Sequence, residues 1–315
     1  KKLSQTYLIG TKVLILSAST QIEYEQIVKN GWEVCIHDIN GLKLLDSVCR
    51  KLNKTIQIHV NIDTGMNRLG VKNIEEFANS LRSTKRVIPS GIMTHLVSSN
   101  NSEHIQGTTQ QINKFRQHLS YFHSLGLTFR YQHVMNTNGV IQHNQILQAN
   151  TIRPGIGLYY PCRTIRTKHS NMKPIFEYWG KIINIQSCHA GENIGYGFHH
   201  KLKNDSVIAV ISVGYSDGIF RKQTNNKLSV KIDGYDCPMV GLTCMDCCFV
   251  DVTRLTRKPS VGQYVQITSN DPNSLNYVDH YLVSSNKSHH EFLCSISQHA
   301  LRIEKNQFHR LINHR

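Results

Sequence analysis

The chain has 315 residues, 39% of them apolar, with 36 Lys and Arg against 21 Asp and Glu for a net charge of +15. That length buries a large core and suits one big domain with a smaller one; the absence of low-complexity tracts and of any run of about eighteen apolar residues excludes a disordered chain and a membrane-spanning helix. The basic residues are scattered with no block of about five or six, so the charge describes a solvated surface and argues against a nucleic-acid or membrane partner.

The N-terminus, Lys1-Lys2-Leu3-Ser4-Gln5, lacks the apolar stretch of a signal peptide, which points to a cytoplasmic protein; the first residue is not methionine, which points to a longer natural chain. From there to about residue 165, short apolar runs rich in β-branched residues alternate with helical patterns, the mark of β-α units around a parallel sheet. Strands are predicted at 12–16, 32–37, 57–62, 91–96, 132–135 and 151–152. Helices are predicted at 23–29, 41–52, 74–83 and 110–125, the last with Ile112, Phe115, Leu119 and Phe122 on one face. Six strands are too few for an eight-stranded barrel, so periodicity alone reads as an open sheet. Beyond about residue 172 the pattern becomes β-rich, with strands at 180–186, 207–213, 227–232, 249–252 and 264–268 and a turn at Asp233-Gly234. A polar link at 168–172 divides the chain into a β/α domain, 1–172, and a β domain, 173–315.

Several predicted strands end in small or polar residues. The third runs into Asp63-Thr64-Gly65-Met66-Asn67-Arg68-Leu69-Gly70; others close on Thr94-His95, on Asn136-Thr137-Asn138-Gly139 and on Arg153-Pro154-Gly155-Ile156. Arginine, asparagine, hydroxyls and glycine N–H groups gathered at strand ends are what a phosphate-bearing cofactor requires. In the β domain, Tyr196 stands between Gly195 and Gly197, and Met245-Asp246 follows the Val240-Gly241 turn. Nine cysteines, an odd number, suit reduced thiols, and Cys244-x-x-Cys247 lacks the second ligand pair of a zinc site, so no metal is expected.

Taken in order, these segments, with Gly214-Tyr215-Ser216-Asp217-Gly218, resemble the alanine racemases, a family of pyridoxal-phosphate (PLP) enzymes with a (β/α)8 TIM-like barrel followed by a C-terminal β domain. The resemblance implies that residues 1–172 hold barrel strands three to eight. It also implies that Asn136, Thr137, Gly155 and Ile156 hold the cofactor phosphate and that Arg153 faces the pyridine nitrogen. Arg68 matches the arginine near the cofactor hydroxyl and the substrate carboxylate. Tyr196 matches a catalytic base acting across a homodimer interface, with His95 hydrogen-bonding that tyrosine and tuning its proton affinity. Met245 and Asp246 match partner residues at the substrate entrance. The implied reaction is interconversion of L- and D-alanine by a two-base route, supplying D-alanine for peptidoglycan.

Three departures qualify it. The family's Lys-Ala-x-Ala-Tyr-Gly segment, which carries the PLP lysine and second base, occurs nowhere in the 315 residues, leaving open a longer natural protein or a catalytically silent copy. Asn61 stands where many members carry a carbamylated lysine, and its oxygen is expected to accept from Arg68 instead. Gln298 stands where the family often has a tyrosine lining the site, so serine or a broader set of amino acids is the alternative substrate.

Overall fold

The computed structural model describes residues 11–17, 19–98, 105–143, 149–159, 172, 174–221, 228–285, 287–304 and 306–308. The chain forms two compact units, 1–155 and 156–315. The expected link at 168–172 falls, apart from Met172, outside the described residues, as does Lys227 at the start of an expected strand.

The first unit is a six-stranded sheet whose spatial order follows the sequence: β1 (Leu14–Ile15), β2 (Glu33–Ile36), β3 (Ile56–Asn61), β4 (Val87–Met93), β5 (Tyr131–Asn136) and β6 (Thr151–Arg153). Every pairing is parallel, and the sheet curls without closing, as six consecutive strands of a larger barrel would. Helices α1 (Gln21–Asn30), α2 (Ile39–Lys51), α3 (Ile74–Ser83) and α4 (Ile105–Ser124) make the crossovers, and α5 (Thr137–His143) opens directly after β5. The starts of the first three have a local cause. Thr20 caps α1 in a capping box with Glu23, and Asp38 and Asn73 accept from backbone amides at the starts of α2 and α3. The apolar faces of these helices join Val34, Ile36, Ile58, Val60 and Ile92 in one core.

The second unit is a closed antiparallel barrel ordered β10-β11-β8-β7-β12-β9, from β7 (Tyr178–Cys188), β8 (Ser206–Ile211), β9 (Ser229–Ile232), β10 (Tyr235–Val240), β11 (Cys248–Asp251) and β12 (Tyr264–Thr268). Asp233 (φ 50°) and Gly234 (φ 85°) make the left-handed hairpin turn that pairs Ile232 with Tyr235. Two short helices, α6 (Val278–Ser285) and α7 (His289–Ser295), were not predicted, and neither was β10. Tyr281, Leu282 and Phe292 from these helices pack into the barrel core with Ile211, Val230 and Val265.

Candidate active site

The Asp63 turn braces itself. Asp63 is buried, and its Oδ1 accepts from the amides of Gly65 (2.9 Å) and Asn67 (3.1 Å). Burial raises this carboxyl, but the amides of Asn67 and Gly65 and the nearby Lys72 outweigh it and hold the group below the usual carboxylate range. Gly70 has φ +136°, and a Cβ there would come within 2.6 Å of the Asp63 nitrogen, so the turn closes only on glycine. Arg68 is carried exposed on this turn, with no hydrogen bond or ion pair among the described residues.

The expected contact from Arg68 to Asn61 is not formed. His37 donates from Nε2 to the Leu16 carbonyl, which leaves its Nδ1 to accept from Asn61 Nδ2 at 3.0 Å, and the same Nδ2 reaches the Leu69 carbonyl at 3.0 Å. The amide is thereby oriented with its Oδ1 buried and without a partner. An acceptor is present at this position, but Arg68 stands away from it.

Arg153, at the end of β6, is held by three bonds. Nη1 donates to His133 Nδ1 (2.9 Å) and to the His133 carbonyl (2.6 Å), and Nη2 donates to the Thr94 carbonyl (2.7 Å). Every partner is neutral, so the half-buried cation has no carboxylate against it. Burial lowers it to about 10, which leaves it charged at neutral pH. His133 bonds onward to His59 (2.6 Å), and His59 to Glu33 (2.7 Å).

His95, half-buried after β4, has no side-chain hydrogen bond among the described residues; burial and the charges of Arg153 and Arg68 lower its proton affinity. The strand-end loops are tied together by Gln111 of α4. It donates to Thr64 Oγ1 (3.1 Å) and the His95 carbonyl (3.1 Å) and accepts from the Val97 amide (3.0 Å). Asn136 Oδ1 accepts from the Gly139 amide (2.9 Å), which starts α5 and leaves Thr137 buried on its first turn. At Gly155 an added Cβ would meet nothing within 4 Å. The N–H groups of Gly155 and of Ile156, the first residue of the second unit, have no partner among the described residues.

In the second unit, Gly195 and Gly197, both left-handed (φ 75° and 74°), turn Tyr196 outward so that it is 67% exposed. Gly214 packs on the backbone of Met245, where a Cβ would overlap the Met245 carbonyl oxygen, and Ser216 donates to that oxygen from its amide (2.9 Å) and hydroxyl (2.7 Å). Met245 and Asp246 are thus presented on a fixed turn, both exposed; Gln298 is exposed beyond α7. No three His, Cys, Asp or Glu side chains among the described residues are placed to hold a metal ion.

The expected strand-end residues as far as Gly155 therefore lie on one unit, and Ile156, Tyr196, Met245, Asp246 and Gln298 on the other. Four residues that bond to the expected strand-end groups or onward from them were missed: Glu33, His59, His133 and Gln111. A signal existed for His59, which alternates with Gln57 and Asn61, since a polar residue at every second position on a barrel strand marks one polar face.

Two family models divide the chain between them, "Alanine racemase, N-terminal domain" over residues 3–161 and "Alanine racemase, C-terminal domain" over 175–304. The chain belongs to the alanine racemase family. It is 28% identical over 300 residues to the alanine racemase of Methanococcus maripaludis, covering 94% of this chain and 79% of that one. It is 30% identical over 260 residues to that of Helicobacter pylori strain Shi470, covering 79% and 68%. Among solved structures, the alanine racemase of Bartonella henselae with covalently bound pyridoxal phosphate superposes with a TM-score of 0.81 at 22% identity, over 96% of this chain and 81% of that one, which establishes the shared fold. The curled parallel sheet and antiparallel barrel are accordingly the two domains of an alanine racemase.

Proposed function

We propose that the protein interconverts L- and D-alanine with pyridoxal phosphate as cofactor. The observation that carries this reading is Arg153, a half-buried guanidinium fixed by three neutral acceptors, two residues before Gly155 and its open N–H. A cation left without a carboxylate, beside uncommitted backbone donors, fits an anionic, phosphate-bearing ring. When bound, the cofactor supplies the electron sink that makes the Cα proton of an amino acid removable.

Asn136, the Thr137 hydroxyl and the N–H groups of Gly155 and Ile156 would hold the phosphate. Arg153 would face the pyridine nitrogen and, because guanidinium gives up no proton, would leave it unprotonated. Arg68 takes the substrate carboxylate. Tyr196 Oη moves the Cα proton on one face, within a homodimer in which Tyr196, Met245 and Asp246 reach the partner copy's cofactor, and His95 hydrogen-bonds that tyrosine. The setting is cytoplasmic, and D-alanine for peptidoglycan is the purpose. No helix among the described residues is long and apolar enough to cross a membrane.

Gln298 favours a second reading. In place of a tyrosine wall it offers a polar amide, which suits serine or other small amino acids beside alanine.

The test is chiral chromatography of L-alanine incubated with the protein and pyridoxal phosphate. D-alanine is expected; cofactor binding with neither enantiomer converted would favour a silent copy of the enzyme.

A further inference from the structure

We infer that Glu33 is a positioning residue for Arg153, acting across the sheet through two imidazoles whose tautomers it helps to dictate. The order of donors is forced by chemistry. Guanidinium only donates, so His133 Nδ1, which Arg153 Nη1 reaches at 2.9 Å, is the unprotonated nitrogen. A neutral His133 then carries its proton on Nε2 and donates it to His59 Nδ1 at 2.6 Å. His59 in turn is protonated on Nε2, which donates to Glu33 Oε2 at 2.7 Å. A carboxylate that only accepts closes one end of the chain as the guanidinium closes the other.

Glu33, His59 and His133 are 9%, 4% and 1% exposed, too buried for water to replace a lost partner. Burial holds both imidazoles neutral, with His133 lowered to about 3, so the charges reside at the two ends. The Arg153 cation, which has no adjacent carboxylate, thus has its counter-charge on β2, beyond the two imidazoles. Glu33 is itself fixed: Ser90 Oγ donates to the same Oε2 at 3.1 Å, and Lys12 lies 3.5 Å from Oε1 at the surface. The Tyr131 ring stacks on His59 at 5.6 Å between centroids. With the chain intact, both Nη1 protons stay committed to His133, and the guanidinium cannot rotate about its axis.

The consequence for chemistry rests on the reading of Arg153 as the group facing the cofactor ring; the order of tautomers does not. The test is nuclear magnetic resonance of imidazole nitrogens in the ¹⁵N-histidine-labelled protein at neutral pH without cofactor, with His59→Gln and His133→Gln spectra giving the assignments. Both rings are expected to show a protonated Nε2 and an unprotonated Nδ1. Glu33→Gln should keep that pattern, because its amide oxygen still accepts, whereas Glu33→Leu should lose the single tautomer at His133. A protonated Nδ1 on His133 in the unaltered protein overturns the proposal. So does a Glu33→Leu spectrum in which both rings are unchanged. Should Glu33→Leu not fold, a protonated Nδ1 on His133 in the unaltered protein still overturns the proposal. These tautomers, lost in Glu33→Leu, in a chain that binds no pyridoxal phosphate uphold the role of Glu33 and overturn the cofactor reading alone.

Discussion

Gly91 on β4 leaves the space that the His59 ring of β3 fills: the two are register partners, and a Cβ at Gly91 would overlap His59 Nδ1 and lie 2.6 Å from its Cγ. Strand and ring are both buried, so neither can yield cheaply.

Gly91→Ala is therefore expected to destabilise the protein by about 1–3 kcal/mol through overpacking. Gly107→Ala, in α4 where an added Cβ meets nothing within 4 Å, serves as the contrast and is expected to be stabilising by up to about 1 kcal/mol. Urea unfolding of both variants checks the pair; equal midpoints would contradict the packing described.

Acid should weaken the fold before its carboxylates titrate. Burial depresses His133 from 6.5 to about 3 and also lowers His59, His37 and His95. The unfolded chain then binds more protons than the folded one below about 6.5, so this stability is present above that pH and is lost on descent, for His133 down to about 3. Each such histidine contributes a slope of at most about 1.4 kcal/mol per pH unit. Denaturant midpoints at about pH 7 and about pH 5 are expected to fall with acid; a flat or rising midpoint would count against neutral buried imidazoles.

Gln298→Tyr is expected to raise the preference for alanine over serine, measured as the ratio of kcat/KM values, by roughly 10-fold or more, since a hydrophobic wall replaces a polar amide. An unchanged ratio would remove residue 298 from the specificity pocket.

Much of the fold was legible because β-branched runs and amphipathic spacing are strong local signals: helix 74–83 matches in full, and the strands of the first unit agree to within a few residues. β10 was missed because Asp236 and Pro238 interrupt its pattern. Pro238 is tolerated opposite Ser229 only through pairing that no local rule foretells. The helices α6 and α7 are short and draw their stability from the barrel core through Tyr281, Leu282 and Phe292. At the site, turns and glycines advertised Asp63, Asn136 and Arg153. The bonds from Glu33 to His133 join strands far apart in sequence, so only the folded sheet brings them into view. Asn61 shows the converse: its acceptor oxygen was foreseen, but the partner assigned to it stands elsewhere.

The proposed role of Tyr196, moving the Cα proton on one face of the substrate, is tested by following deuterium incorporation at Cα of L-alanine and of D-alanine in heavy water, with pyridoxal phosphate, for the unaltered protein and for Tyr196→Phe. The unaltered protein is expected to exchange the enantiomer whose Cα proton Tyr196 faces, and Tyr196→Phe is expected to lose that exchange by about 100-fold or more. Undiminished exchange of that enantiomer in Tyr196→Phe would contradict the account.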